Sequence, residues 1–177
     1  MIKVNFDEEN LYFQQESYFM PKQKIYLDTS TISHLKQDDV PDKMADTHAL
    51  WEDLKNGIYE IYISEIVFEE LLANEETKQV ILLEYLAEIE YNLIEIDEGI
   101  RQYANKLIEI GVLTSNHYFD CLHIASAVTS ECNYLVSWNF KHIVRIKTIN
   151  GVRTVNAMLG YRSIDIYAPN SFIEMED

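Results

Sequence analysis

The sequence predicts an α/β fold on a central, mostly parallel sheet of four or five strands. Three observations lead there. Short apolar, β-rich runs occur at Lys24-Ile25-Tyr26-Leu27, Ile58–Ile63 and Tyr134-Leu135-Val136-Ser137. Helical stretches separate these runs, and the links between them are short. The first run is continuously apolar after Lys24 instead of alternating, as a strand covered on both faces must be. Strands that alternate with helices pair in parallel, because each helix carries the chain back to the start of the next strand.

The elements follow in order. Lys24–Leu27 is the first strand and ends at Asp28, and a first helix runs from Thr29 to Lys36. Pro41 opens a second helix through Ala49, Leu50 and Leu54, which Asn56-Gly57 stops. Ile58–Ile63 is the second strand. Ser64 is a good N-cap for a helix carrying Ile66, Val67, Leu71 and Leu72. Residues 75–90 continue as a helix with Val80, Leu83 and Ala87 on one stripe. Tyr91–Ile96 is a third strand, and Asp97 caps a helix that ends near Gly111. Tyr118–Thr129 is strongly helical, and Tyr134–Ser137 is the fourth strand. A last helix is expected over 152–159, stopped by Gly160, with a fifth strand through Ile164 and Ile166.

Composition bounds the function. The 177 residues carry 14 Lys+Arg against 30 Asp+Glu, a net charge of -16, which excludes an indiscriminate nucleic-acid or membrane binder. The five glycines cannot spell a dinucleotide fingerprint or a P-loop. Cys121 and Cys132 have no zinc spacing and suit a reducing compartment. No apolar run is long enough to span a bilayer, and the acidic start is unlike a signal peptide, so a cytoplasmic protein is expected. Glu9-Asn10-Leu11-Tyr12-Phe13-Gln14 resembles a viral protease site and Met20 is a second plausible start. Residues 1–20 therefore read as a fusion remnant or a native extension, and residues 21–177 as a single domain.

Acids mark the chemistry. Asp28 directly follows a strand; it can act as a helix cap or as a ligand at the sheet edge. Glu70 sits between Phe68, Leu71 and Leu72 on the helix after strand two, facing inward, or else is surface charge like Glu65 and Glu69. Asp120 lies on the same helical face as Ile124 and Ala127, where an aspartate needs a task or a partner. His123 can support that acid or be a satisfied core histidine. After strand four come Ser137, Asn139 and His142, with Trp138 and Phe140 read as packing. Three converging carboxylates repel one another in a half-dry pocket, and a hard divalent cation resolves the repulsion. Ser30 stands where a haloacid-dehalogenase-type phosphatase needs its second acid, which argues against that chemistry.

In order, Y-L-D-T-S, S-x-x-x-x-x-E-L-L, D-C-L-H-I-A-S-A and S-W-N-F-K-H-I resemble the PIN-domain ribonucleases, in particular VapC-type toxins of bacterial toxin–antitoxin pairs. The resemblance covers roughly residues 23–175. It implies a PIN-like three-layer α/β/α fold, Mg²⁺ or Mn²⁺ dependence, RNA cleavage and dimers, and leaves a cognate antitoxin partner open. Carried over, Asp28, Glu70 and Asp120 match the family's first three acids and are the expected metal ligands. Where the family often has a fourth acid, Lys141 and His142 stand instead. Asn139 and His142 are then expected to position water or phosphate. That departure leaves open a PIN-like module that binds RNA or a partner without cleaving.

The charge is not evenly spread. Residues 132–164 contain no acid and carry Lys141, Arg145, Lys147, Arg153 and Arg162, so this stretch is +5 and the remainder -21. A cationic strip beside the acids is what phosphate handling on an acidic protein requires, although a solvated basic face has the same composition. Ser137, Lys141, Arg145 and Lys147 are the expected substrate contacts.

Overall fold

The computed structural model describes residues 21–173. The segment read as a remnant or extension, 1–20, lies outside the described residues. Five strands make one parallel sheet: β1 Lys24–Leu27, β2 Glu60–Ser64, β3 Tyr91–Ile94, β4 Tyr134–Val136 and β5 Asp165–Tyr167. Their order is β3-β2-β1-β4-β5. The chain steps outward from β1 to β3, then returns to the other side of β1 for β4 and β5. Two neighbouring strands thus lead in opposite directions between β1 and β4. In open parallel sheets that reversal leaves a crevice at the carboxyl ends, where ligands bind.

Among the described residues, seven α-helices cover the sheet: α1 Thr29–Ser33, α2 Pro41–Lys55, α3 Glu65–Leu71, α4 Glu76–Leu86, α5 Glu98–Glu109, α6 Tyr118–Thr129 and α7 Ile146–Leu159. Short 3₁₀ turns occupy His34–Lys36, Ser115–His117 and Pro169–Phe172. Successive side chains of a strand point to opposite faces, so β1 feeds two cores. Ile25 and Leu27 pack with α1, α2 and α4, through Ile32, Leu50, Trp51, Leu54, Leu82 and Leu86. Tyr26 points the other way, toward Tyr103, Leu107, Ile124 and Val155 of α5, α6 and α7. This is a three-layer α/β/α arrangement. Truncating a core leucine such as Leu107 to alanine is worth about 2–5 kcal/mol.

Local expectations held unevenly. The helix expected over Thr29–Lys36 closes as one α-helical turn followed by a 3₁₀ turn. Asp97 caps α5, its side chain accepting from the Ile100 N–H at 2.8 Å. Ser64 occupies the N-cap position of α3, but its hydroxyl makes no cap bond and meets the Tyr26 hydroxyl instead. Leu72, placed on the apolar face of that helix, is exposed. In α4 the buried stripe is Leu82 and Leu86, while Val80 and Leu83 are exposed. This helix carries more apolar residues than buried positions, so periodicity alone does not fix its phase. The last helix begins at Ile146, not 152. Gly151 sits inside it because an added Cβ would come within 2.6 Å of the Val112 methyls. A glycine that reads as a breaker is here a close-approach site. Gly160 ends the helix in the left-handed conformation, φ 80°, with its N–H bonded to Asn156 O.

Candidate active site

Asp28 leaves β1 at the reversal point and is 3% exposed. It is both helix cap and cavity acid. Oδ1 accepts from the Thr31 N–H at 3.0 Å, the Ser30 hydroxyl at 2.7 Å and the Thr31 hydroxyl at 3.2 Å. Oδ2 accepts from the Ser137 hydroxyl at 2.7 Å. A buried carboxylate is tolerable only with such donors. Ser137 is fully buried at the end of β4, and its hydroxyl also accepts from the Asn139 N–H at 2.9 Å. Ser137 is one of the expected substrate contacts. Its hydroxyl has no exposed surface, and it orients Asp28.

Glu70 lies near the end of α3 and is half-buried, facing inward instead of standing as surface charge. Its Oε2 accepts from the Thr29 hydroxyl and from His123 Nε2 at 2.8 Å. Burial works to raise the Glu70 pKa, but the His123 and Thr29 bonds outweigh it and hold the carboxyl below its ordinary value. His123, on α6, is 2% exposed. Burial works to lower its pKa, yet the Glu70 bond and the charges of Asp28, Glu70 and Asp120 raise it above 6.5. Its Nε2 is hydrogen-bonded to Glu70 at 2.8 Å and its Nδ1 to the Tyr26 hydroxyl at 2.7 Å. Tyr26, held neutral because burial pushes its pKa up, shares a hydrogen bond with the Ser64 hydroxyl at 2.7 Å. His123 supports Glu70 rather than Asp120, and Glu65 is not simply solvated: its Oε1 accepts from the Ile96 N–H at 3.1 Å.

Asp120 opens α6 and is half-buried. Desolvation pushes its carboxyl up, and the charges of Asp28 and Glu70 push the same way, against the pull of His123 and His117. Asn139 Nδ2 donates to Asp120 Oδ1 at 2.8 Å, while Asn139 Oδ1 accepts from the His142 N–H at 3.0 Å. Asp28, Glu70, Asp120 and Asn139 line one cavity of about 340 Å³ together with Thr29, Ser30, His34 and His123. A second cavity, about 440 Å³, adjoins it through Glu70 and Asp120 and is walled by residues 115–119. A larger cleft of about 510 Å³ lies at the opposite, amino ends of β2 and β3. Lys22, Lys55, Glu60, Glu88 and Glu90 line it, and none of the acids at issue does.

The remaining expectations divide. Lys141, Arg145 and Lys147 are exposed and line neither carboxylate cavity. Lys141 and Arg145 bias the His142 ring, whose pKa is lowered by desolvation, then by His117 and these two cations. Trp138 is buried, with Nε1 donating to Thr47 at 2.8 Å, but Phe140 is half-exposed and not core. The side chain missed from sequence is His117, stacked on His142 with centroids 3.7 Å apart and 3.5 Å from Asp120 Oδ2. Its spacing of three residues before Asp120 was the available signal. Among the described residues, His117, Asp120 and His142 form the one set of three His, Cys, Asp or Glu ligand atoms all within 4.8 Å of one another.

A parallel α/β/α sheet with acids clustered at its switch point defines the class of protein. A family model for the PIN domain matches residues 25–142, and the chain belongs to the PIN domain family. No curated protein matches. Among solved structures, the fold is similar to a chain of the VapBC2 complex from Rickettsia felis bound to a DNA fragment from their promoter. The TM-score is 0.54 at 17% identity, covering 82% of this chain and 98% of that one. None of the described helices is long and apolar enough to cross a membrane.

Proposed function

We propose that this chain is a metal-dependent endoribonuclease that hydrolyses RNA phosphodiester bonds, acting as the toxin of a bacterial toxin–antitoxin pair. The observation that carries the reading is the meeting of Asp28, Glu70, Asp120 and Asn139 in one cavity at the sheet's switch point. The donor set suits Mg²⁺ or Mn²⁺. All three acids offer hard oxygen; burial, and to a lesser degree the charges of Asp28 and Glu70, raise the Asp120 pKa, and a divalent cation relieves that cost. The three carboxylates are not among the tight ligand sets. That spread fits an ion which keeps several waters and takes only one or two carboxylates directly. When bound, such an ion activates water and steadies charge on the phosphoryl group.

The chain's own residues supply the rest. Ser30, Thr31 and Ser137 hold Asp28 in one orientation before any ligand arrives. The His123 ion pair keeps Glu70 ionised. Asp120 presents the third carboxylate to the cavity. Asn139 fixes its orientation. Lys141, Arg145 and Lys147 draw RNA toward the rim, where His142 stacks on His117. The Rickettsia felis structure is of a VapBC2 complex, which supports a protein antitoxin here. The acidic surface suits a basic antitoxin segment, and a homodimer in the cytoplasm completes the proposal.

The test is RNA cleavage by nuclease-free protein with Mn²⁺ or EDTA. Cleavage that needs Mn²⁺ and disappears in Asp28→Asn is expected, and unchanged cleavage in that variant would falsify the assignment. A second reading, a PIN-like module that binds RNA or a partner without cutting, is favoured by one fact. Asn139 spends its amide on Asp120 where the resemblance leads one to expect another acid nearby. It requires RNA binding with no Mn²⁺-dependent cleavage.

A further inference from the structure

Five histidines occur in the chain, and their surroundings sort them. His34 Nδ1 pairs with Ser30 O at 2.7 Å, and His48 Nε2 with Leu35 O at 3.0 Å. His123 is tied at both ring nitrogens. His117 and His142 differ. Among the described residues, the one polar side-chain partner near either ring is Asp120 Oδ2, 3.5 Å from His117 Nδ1. The two rings stack face to face, from segments 25 positions apart in the chain, on the rim of the carboxylate cavity.

We infer that His117, His142 and Asp120 form a binding site for a borderline transition-metal cation of the Zn²⁺ type. Two imidazole nitrogens and one carboxylate oxygen are a donor set that nitrogen-preferring ions take well ahead of Mg²⁺. The spacing suits it. Bonds of about 2.1 Å in tetrahedral geometry put ligand atoms about 3.4 Å apart, near the 3.5 Å between His117 Nδ1 and Asp120 Oδ2. The full set lies within 4.8 Å and both rings are half-buried; to share one ion the stacked rings splay apart so that each ring plane contains it.

An outer layer is in place as well. Asn139 Nδ2 holds Asp120 Oδ1, which leaves Oδ2 turned toward the histidines. Asn139 Oδ1 fixes the backbone of His142. Lys141 and Arg145 stand near His142 and oppose any cation there. Two nitrogen bonds outweigh that repulsion better for Zn²⁺ than charge attraction does for a hard ion. Three protein ligands leave a fourth position open to water or a phosphate oxygen. The site stands whether or not the cavity cleaves RNA.

The test uses metal-stripped, tag-free full-length protein titrated with Zn²⁺ by calorimetry, alongside the visible spectrum of its Co²⁺ form. One ion per chain is expected, with the intense visible bands of a non-octahedral Co²⁺ site. His117→Gln and His142→Gln should each weaken binding by about 100-fold or more, at least the loss caused by removing an outer partner. Glu70→Gln should keep it. The metal-free His117→Gln and His142→Gln variants should unfold at the wild-type temperature, so that lost binding is not lost folding. Absence of stoichiometric binding overturns the inference. So does binding that survives both histidine substitutions, or that is lost in Glu70→Gln, which would put the ion among the other carboxylates.

Discussion

The floor and the rim of the cavity are built differently although they share one wall. On the floor, Asp28 has donors on both oxygens, and His123 is wired to Glu70 and Tyr26. Each of these groups is fixed by folding itself. On the rim, Asp120 has Asn139 and a distant His117, and the two stacked rings lack further polar side-chain partners among the described residues. The floor is finished without a ligand. The rim leaves ligating atoms for something that is not protein. Preorganised groups act most strongly on developing charge, whereas unsatisfied ones select what binds.

The largest expected effect separates the two in catalysis. Asp28→Asn should lower the initial rate of Mn²⁺-dependent RNA cleavage by at least about 100-fold, the scale of losing a preorganised electrostatic group. Asn139→Ala should cost about 10-fold, as an outer partner does. Equal losses on one RNA substrate would erase the distinction.

Stability sharpens it next. His123→Gln leaves Glu70 without its buried cation and should destabilise the metal-free protein by about 2–3 kcal/mol, reduced from a fully buried pair because Glu70 keeps some exposure. His142→Gln should stay within about 0.5 kcal/mol in urea unfolding. A comparable loss in both would mean that the rim is as structural as the floor.

The smallest effect is in pH. His123 holds its proton above its ordinary 6.5, so its contribution is complete below pH 6.5 and fades as pH rises through the folded value. Glu70 is held below its ordinary 4.5, so its contribution is complete above pH 4.5 and fades as pH falls through the folded value. The pair therefore stabilises the metal-free protein most between those values. Thermal unfolding followed across pH should decline above that window in wild type, and His123→Gln should remove the decline.

Much of this was legible in the chain. β1 and β4 are covered on both faces, so burial writes them as apolar runs, and Asp28 stands out as the first charge after one. α6 is buried over Cys121–Val128, which makes Asp120 conspicuous at its start. The phase of α4 and the beginning of α7 were not legible. The first has surplus apolar residues, and the second contains a glycine whose reason is Val112, far away in sequence. Phe140 reads as core by residue type, but it stays half-exposed beside Trp138 and Lys43.

What the sequence determined by itself is the α/β class, the acids at strand ends and helix starts, and a -16 charge relieved by one basic stretch. These follow from periodicity and composition, which are local. Only the tertiary structure decided that Ser137 serves Asp28 from 109 positions away, that His123 belongs to Glu70, and that His117 meets His142. Those pairings depend on which strands are neighbours. The order β3-β2-β1-β4-β5 sets β4 against β1 and brings the segment after β4 over the start of α6.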